Sequence, residues 1–336
     1  MGTTTDKLNH LINTKEGIRQ EINRAYNAEE IGTSDTFSSY IPKLEEHPYY
    51  VMRYIERSIE SIKLSNATSI GNYAFYSCNN LTEASFPNAT SISENAFYDC
   101  NNLTKASFPN ATSIGQNAFY SCNKLTSVYF PVATSVGFSA FSSCGNLTEV
   151  SFPNAIGIDS NAFSSCSSLT KASFPNATGI GSSAFESCSN LTEVSFPVAA
   201  SISFDAFKRC VNLTEASFPN ATGIGSSAFI YCSKLTSVYF PVATSVGQNA
   251  FESCRNLTEV SFPVATSIGD YAFYNCSNLT TIYVGTNTST ICKLSNTNAF
   301  TNCTKLTNIY VPASLVDSYK SATNWSTYAS KIKAAP

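Results

Sequence analysis

One 22-residue sentence is written ten times in this chain without an insertion or deletion. Phe75, Phe97, Phe119, Phe141, Phe163, Phe185, Phe207, Phe229, Phe251 and Phe273 stand 22 apart, as do Cys78 through Cys276 and Leu81 through Leu279. A short fixed period marks a solenoid: each unit is too small to bury its own apolar residues, and stacked neighbours together make a continuous core. This overrides the two ordinary domains that a length of 336 would otherwise suggest. Stacked coils also offer long surfaces rather than pockets, which points to binding before catalysis.

One coil can be read from Leu81 to Cys100. Leu81-Thr82-Glu83-Ala84-Ser85-Phe86 alternates as a strand, with Leu81, Ala84 and Phe86 directed inward and Thr82, Glu83 and Ser85 outward on the concave side. Pro87 ends it, having no N–H for a ladder. Ile92 and its counterparts are always Ile or Val and are read as core. A glycine follows in most coils (Gly71, Gly115, Gly137), where a sharp turn costs least without a Cβ, although Ser93, Asp159 and Ser203 take its place. Asn95 to Cys100 is predicted to close the coil as a short helical turn on the convex side.

Ten of the twelve cysteines form one column of the repeat, Cys303 continues it, and Cys292 alone lies outside. Neighbouring coils about 4.8 Å apart would bring Cα atoms within bridging range. Equivalent side chains in a ladder point the same way, however, and a disulfide needs converging Cβ vectors. The column is therefore expected to be reduced and buried, with Cys292 or an end-coil cysteine the most accessible. No Cys-x-x-Cys pair or histidine partner supports a metal site.

The unit L-x-x-[AV]-x-F-P…S-I-G-x-x-A-F-x-x-C resembles the bacterial BspA-like leucine-rich repeat, one residue shorter than its commonest form. The resemblance covers about residues 59 to 311. It implies an α/β solenoid: a right-handed leucine-rich-repeat superhelix of 22-residue coils with small helical N- and C-terminal caps. Relatives of this type are largely surface, adhesion or host-interaction proteins, so it also implies a non-enzymatic recognition role.

Three segments follow: 1–46 as a small helical module, 47–312 as the solenoid, and 313–336 as a helical cap. In the first, Leu8, Leu11, Ile12, Ile18, Ile22 and Ala25 fall at helical spacing. Its text, KLNHLINTKEGIRQEI and then DTFSSYIPKLEE, resembles the N-terminal segments of phage and prophage tail-associated proteins, which implies attachment to a virion or tail carrier. An N-terminal cap for the solenoid is the alternative. The phase of the repeat reaches back to Ile59, Ile62 and Leu64, with Arg53 and Glu56 replacing Phe and Cys. It also runs forward to Leu306, Ile309 and Val311 across five residues inserted within 285–296. Twelve strands would give a sheet about 53 Å long. Beyond it, Leu315, Tyr319, Ala322, Trp325, Tyr328 and Ile332 are spaced to cover the last edge. A longer period is also present: residues 122–141 nearly repeat at 232–251, which marks duplication of a five-coil block.

Composition excludes more than it assigns. Charged residues are 13% and net charge is −3, so nothing argues for nucleic acid or an anionic membrane. No apolar run is long enough to span a bilayer, and no secretory signal is visible at the N-terminus. That predicts a virion-associated or cytoplasmic protein, or else a surface protein exported by a route not legible here. The two histidines, His10 and His47, both lie outside the repeats, so no catalytic triad, phosphate-cradling loop or metal motif can be assembled, and no cofactor is expected. The expected ligand is a protein or glycan on a cell surface. Two outward columns can vary between coils without harming the core. One carries Glu83, Lys105, Glu149, Lys171, Glu193, Glu215 and Glu259. The other is mostly serine, interrupted by Tyr129, Tyr239, Tyr283 and Tyr310. Tyrosine among serines suits recognition, offering area and a hydrogen bond at low entropic cost. A turn column of Tyr76, Tyr98, Tyr120 and Tyr274 is the alternative patch.

Overall fold

A computed structural model of the protein describes residues 60–336. The predicted N-terminal module, and Arg53, Glu56 and Ile59 of the first coil, lie outside the described residues. Each coil has three walls. The first is a three- or four-residue strand, beginning with Ser61–Lys63 and Glu83–Ser85 and reaching Thr281–Val284 and Asn308–Val311. The second is a two-residue strand such as Ser91–Ile92, and eleven of these form one unbroken parallel sheet. The third is an arc of turns.

The long strands pair in parallel and in strict repeat register, Glu83 with Lys105 and Ser85 with Ser107. Alternation puts Ala84 and Phe86 in the core and leaves Glu83 exposed. Inside, two phenylalanine columns run the length of the molecule. Phe97, Phe119 and Phe141 stack at 5.0 and 5.2 Å, and each contacts the strand-side column, as Phe97 does Phe108 at 5.7 Å. Offset and edge contacts of this kind add to the burial energy of the rings. The leucine, isoleucine and cysteine columns fill the rest.

The third wall is not the short helix that the sequence predicts. Asn95 and Asp99 have left-handed backbone, with φ of 55° and 59°, and the same two positions are left-handed in every coil from Tyr73 and Ser77 to Tyr271 and Asn275. This alternation turns every second N–H along the solenoid axis. Asn95, Phe97 and Asp99 donate to the carbonyls of Gln116, Ala118 and Tyr120 in the next coil, at 2.9, 2.7 and 2.7 Å. The intervening Tyr98 and Cys100 close turns on Asn95 and Phe97. A helix would satisfy its own N–H groups and leave the coils unjoined on this side.

The glycine column also has a different cause from the one expected. A Cβ on Gly115 would lie 2.7 Å from the Ser93 carbonyl carbon and 2.8 Å from the Ile92 oxygen, so this position serves close approach of consecutive coils. Left-handed φ falls two residues later, on Asn, Ser, Asp or Tyr, as at Asn117, Ser139, Asp205 and Tyr271. Ser93, Asp159 and Ser203 each have glycine in the coils on both sides.

All twelve cysteines are reduced thiols and buried. From Cys100 to Cys276 each thiol donates to the carbonyl of a phenylalanine in the preceding coil, as Cys166 does to Phe141 at 3.1 Å. Burial pushes the Cys166 thiol up to about 12, and Cys232 higher still. Cys292, expected to be accessible, is fully buried. Its N–H donates to the Tyr319 hydroxyl at 2.7 Å and its carbonyl accepts from Trp325 Nε1 at 2.7 Å. The C-terminal segment thus clamps the coil that carries the insertion. It is less helical than predicted: Val316–Ser321 is α-helix, Trp325–Lys331 is 3₁₀, and Ile332–Ala334 pairs in parallel with the last coil's strand. Phe300 meets Tyr328 edge-on at 5.3 Å, which covers the end of the core.

Candidate binding surface

The outward residues of the long strands form two columns fixed by register. Ser61, Glu83, Lys105 and Ser127 are consecutive partners in one, and Lys63, Ser85, Ser107 and Tyr129 in the other. Further along, Glu149, Lys171 and Glu193 are partners, then Glu215 with Ser237, then Glu259 with Thr281 and Asn308. Glu83, Lys105, Glu149, Lys171, Glu193, Glu215 and Glu259 are all exposed. Lys105 approaches Glu83 at 3.5 Å and Lys171 approaches Glu193 at 3.5 Å; both are open surface pairs worth little to stability.

The four tyrosines divide into two kinds. Tyr129 and Tyr239 are 57% exposed and make no ring contact with another aromatic among the described residues. Their flanking partners in register are Ser107 and Ser217. Tyr283 and Tyr310 are half-buried and stack on each other at 4.9 Å. Slight desolvation, with the Glu259 carboxylate and Tyr310 nearby, raises the Tyr283 phenol above its usual range. On the turn wall Tyr76, Tyr98 and Tyr120 form a continuous stack at 4.9 and 4.8 Å, whereas Tyr274 stands apart against Tyr271.

Two features of this wall escaped the sequence reading. The first is a threonine ladder. Thr104 Oγ1 donates to the Thr82 carbonyl at 2.9 Å and Thr170 Oγ1 to the Thr148 carbonyl at 3.0 Å, so at the paired junctions the residue after the leucine ties its coil to the one before. The second is that the wall is not continuous. The long strands fall into hydrogen-bonded groups of four, three, two and four, open after Tyr129, after Ser195 and after Tyr239. Paired junctions carry bonds such as Phe108 N–H to the Tyr129 carbonyl and Thr126 N–H and Oγ1–H to the Thr104 carbonyl. At the open junctions the corresponding groups of Phe130 and Thr148, of Phe196 and Thr214, and of Phe240 and Thr258 do not make these bonds.

The rings beneath report the same gaps. Phe130–Phe152, Phe196–Phe218 and Phe240–Phe262 are separated by 6.0, 5.9 and 6.2 Å, against 5.4 and 5.3 Å for Phe152–Phe174 and Phe174–Phe196. The coil before each opening reads V-x-F-P-V, and its inward Val128, Val194 or Val238 is only half-buried. A fourth coil with that text, at Val260, stays joined to the next through four paired residues. The textual signal was therefore present in the sequence, mixed with a case where it has no such effect.

The described residues hold no cluster of His, Cys, Asp and Glu that could bind a metal ion. None of their helices is long and apolar enough to cross a membrane. The model of the BspA-type leucine-rich repeat region matches residues 48–157, 112–236, 156–263 and 222–333. The chain belongs to the BspA-type leucine-rich repeat family. Among solved structures, a leucine-rich repeat protein from Bacteroides ovatus is 22% identical, matching 83% of this chain and 85% of that one with a TM-score of 0.51. This BspA-type chain shares its fold. A leucine-rich cell surface protein from Faecalibacterium prausnitzii is 21% identical over 82% of this chain and 90% of that one, with a TM-score of 0.38. A leucine-rich repeat protein from Eubacterium ventriosum is 20% identical over 74% and 83%, with a TM-score of 0.37. No curated protein matches the chain.

Proposed function

We propose that this protein is a non-enzymatic recognition protein that attaches to a protein or glycan surface on a cell through its long-strand wall. The observation that carries this reading is the exposure of Tyr129 and Tyr239 at 57% on a face of serines and single charges. The interior is committed to packing throughout, so variation between coils is expressed on outward positions. The test is a cell-binding assay with Tyr129 and Tyr239 both replaced by serine, the residue most other coils carry there. Attachment should fall while circular dichroism stays unchanged. Wild-type attachment by the double variant would move the recognition surface to the Tyr76, Tyr98 and Tyr120 stack, or leave the solenoid as a passive spacer of a virion or envelope.

The carrier is a second question. The text of residues 1–46 favours a phage tail or fibre component whose N-terminal module holds the virion while the solenoid meets the host. A cell-surface BspA-like adhesin is the alternative. Deleting residues 1–46 should release the solenoid from its carrier and leave cell binding intact. Loss of cell binding on that deletion would place part of the recognition surface in the N-terminal module instead.

A further inference from the structure

We propose that the long-strand wall carries two equivalent subsites for a neutral glycan, one at Tyr129 and one at Tyr239, each built across an open junction. The proposal rests on the reading of this wall as the recognition surface and gives its ligand a chemical class.

The two positions are copies. Residues 122–141 and 232–251 differ at three of twenty positions, and the following coils begin alike, with Glu149-Val150-Ser151 and Glu259-Val260-Ser261. The structure repeats the copy in detail: each tyrosine is 57% exposed, and the ladder opens directly after each. The other tyrosine groups have ring faces spent on one another, at 4.8 to 4.9 Å in the turn stack and 4.9 Å between Tyr283 and Tyr310. Tyr129 and Tyr239 have serine neighbours in register instead, which leaves their faces to a ligand ring.

Across each opening lie groups suited to hydroxyls. At the first, the Thr126 carbonyl and the Thr148 N–H lack the inter-coil bond that joins paired coils, and the exposed Glu149 carboxylate stands on the far strand. At the second, Thr236, Thr258 and Glu259 repeat the arrangement. An aromatic face beside backbone donors and acceptors, hydroxyls and one carboxylate is what a pyranose needs: C–H groups over the ring, and hydroxyls shared among the polar atoms.

Charge narrows the class further. The strand before the first subsite carries Lys105, and the strand before the second carries Glu215. A charged ligand favoured at one would be disfavoured at the other, whereas a neutral one is indifferent to the exchange. A protein partner is less well served, since the exposed aliphatic and phenyl side chains such as Val132, Phe138, Ile156 and Phe204 sit at corners and turns off this wall. Five coils separate the subsites, roughly 24 Å at about 4.8 Å each, so one polysaccharide chain can bridge them and gain from bivalence.

The test uses the full chain on an array of neutral glucans, mannans, galactans and N-acetylhexosamine polymers, with sialylated and uronate-containing glycans alongside. At least one neutral polymer should bind. Tyr129→Ser or Tyr239→Ser alone should weaken it by about tenfold or more, and the pair should abolish it. On an oligosaccharide too short to bridge, a single variant should merely halve the number of sites, as titration reads. Tyr129→Leu should behave like the serine variant, because the ring and not the apolar area is required. Binding of charged glycans only, of none, or equally by the double variant would overturn the proposal. Periodate-treated cells separate it from the broader reading. Attachment that survives periodate yet is lost in the double variant overturns the glycan assignment and keeps the wall; attachment that the double variant retains overturns both.

Discussion

The turn wall and the long-strand wall are built from the same 22-residue text, yet only one is continuous. Across the junction after Tyr129, Phe141 of the turn wall still donates to Ala162 at 2.8 Å, and the Phe141 and Phe163 rings remain 5.3 Å apart. On the strand wall at that place the ladder is open and the rings lie 6.0 Å apart. The turn wall reads A-F-x-x-C in all ten units, whereas the strand wall alternates Ala with Val inward and Asn with Val after the proline. Repetition supplies a place for every coil without guaranteeing the ladder: Ala106 and Ala216 pair with Val128 and Val238 despite the difference in size, whereas the Val128–Val150 and Val238–Val260 junctions are open.

The largest expected break in this contrast comes from alkali. Nine thiols, Cys100 through Cys276, have pKa values raised from an ordinary value of 9.0, chiefly by burial. A thiol whose folded pKa is raised leaves stability intact below the unfolded pKa. It withdraws stability as pH rises above that value towards the folded one, up to about 1.4 kcal/mol per pH unit. Summed over the column, the loss is on the order of 10 kcal/mol by pH 10, and cooperative unfolding under reducing conditions should appear between pH 9 and 11. Circular dichroism against pH checks this; stability unchanged to pH 11 would mean that the column is wet.

Core deletion should rank the walls. Phe163→Ala, in the tighter column, should cost roughly 3–5 kcal/mol in denaturant unfolding, and Phe130→Ala, beside an opening, less. Equal losses would erase the distinction. Hydrogen exchange reads the same difference without mutation: the amides of Phe130, Phe196 and Phe240 should exchange at least about tenfold faster than those of Phe119, Phe185 and Phe229. Comparable protection would show the strand wall closed in solution. The smallest effect is the most specific. Thr170→Ala removes a 3.0 Å bond to the Thr148 carbonyl and should cost about 0.5–1 kcal/mol, whereas Thr148→Ala, with no such bond across the opening, should be near neutral.

Much of this was legible in the text. The columns of Phe, Leu, Ile and Cys announce a stacked interior, and alternation in L-T-E-A-S-F assigns Glu83 outward and Ala84 inward, as the register has them. Tyr129 and Tyr239 could be chosen as exposed by the same counting, as could Glu149 and Lys171. Counting could not separate them from Tyr283 and Tyr310, whose stacking depends on an unbroken junction between their strands. It also mistook the turn arc for a helix, because A-F-x-x-C has helical spacing and its left-handed positions hold residues other than glycine, such as Asn95, Ser121 and Arg209.

The sequence by itself determined the period, the inward columns and the family, because each depends on residue type at fixed spacing along one coil. Tertiary structure alone decided how coils join. Whether Phe130 N–H meets its partner depends on the distance between two coils, and that distance is a property of the packing across the junction, where the Phe130 and Phe152 rings lie 6.0 Å apart, which no single repeat contains.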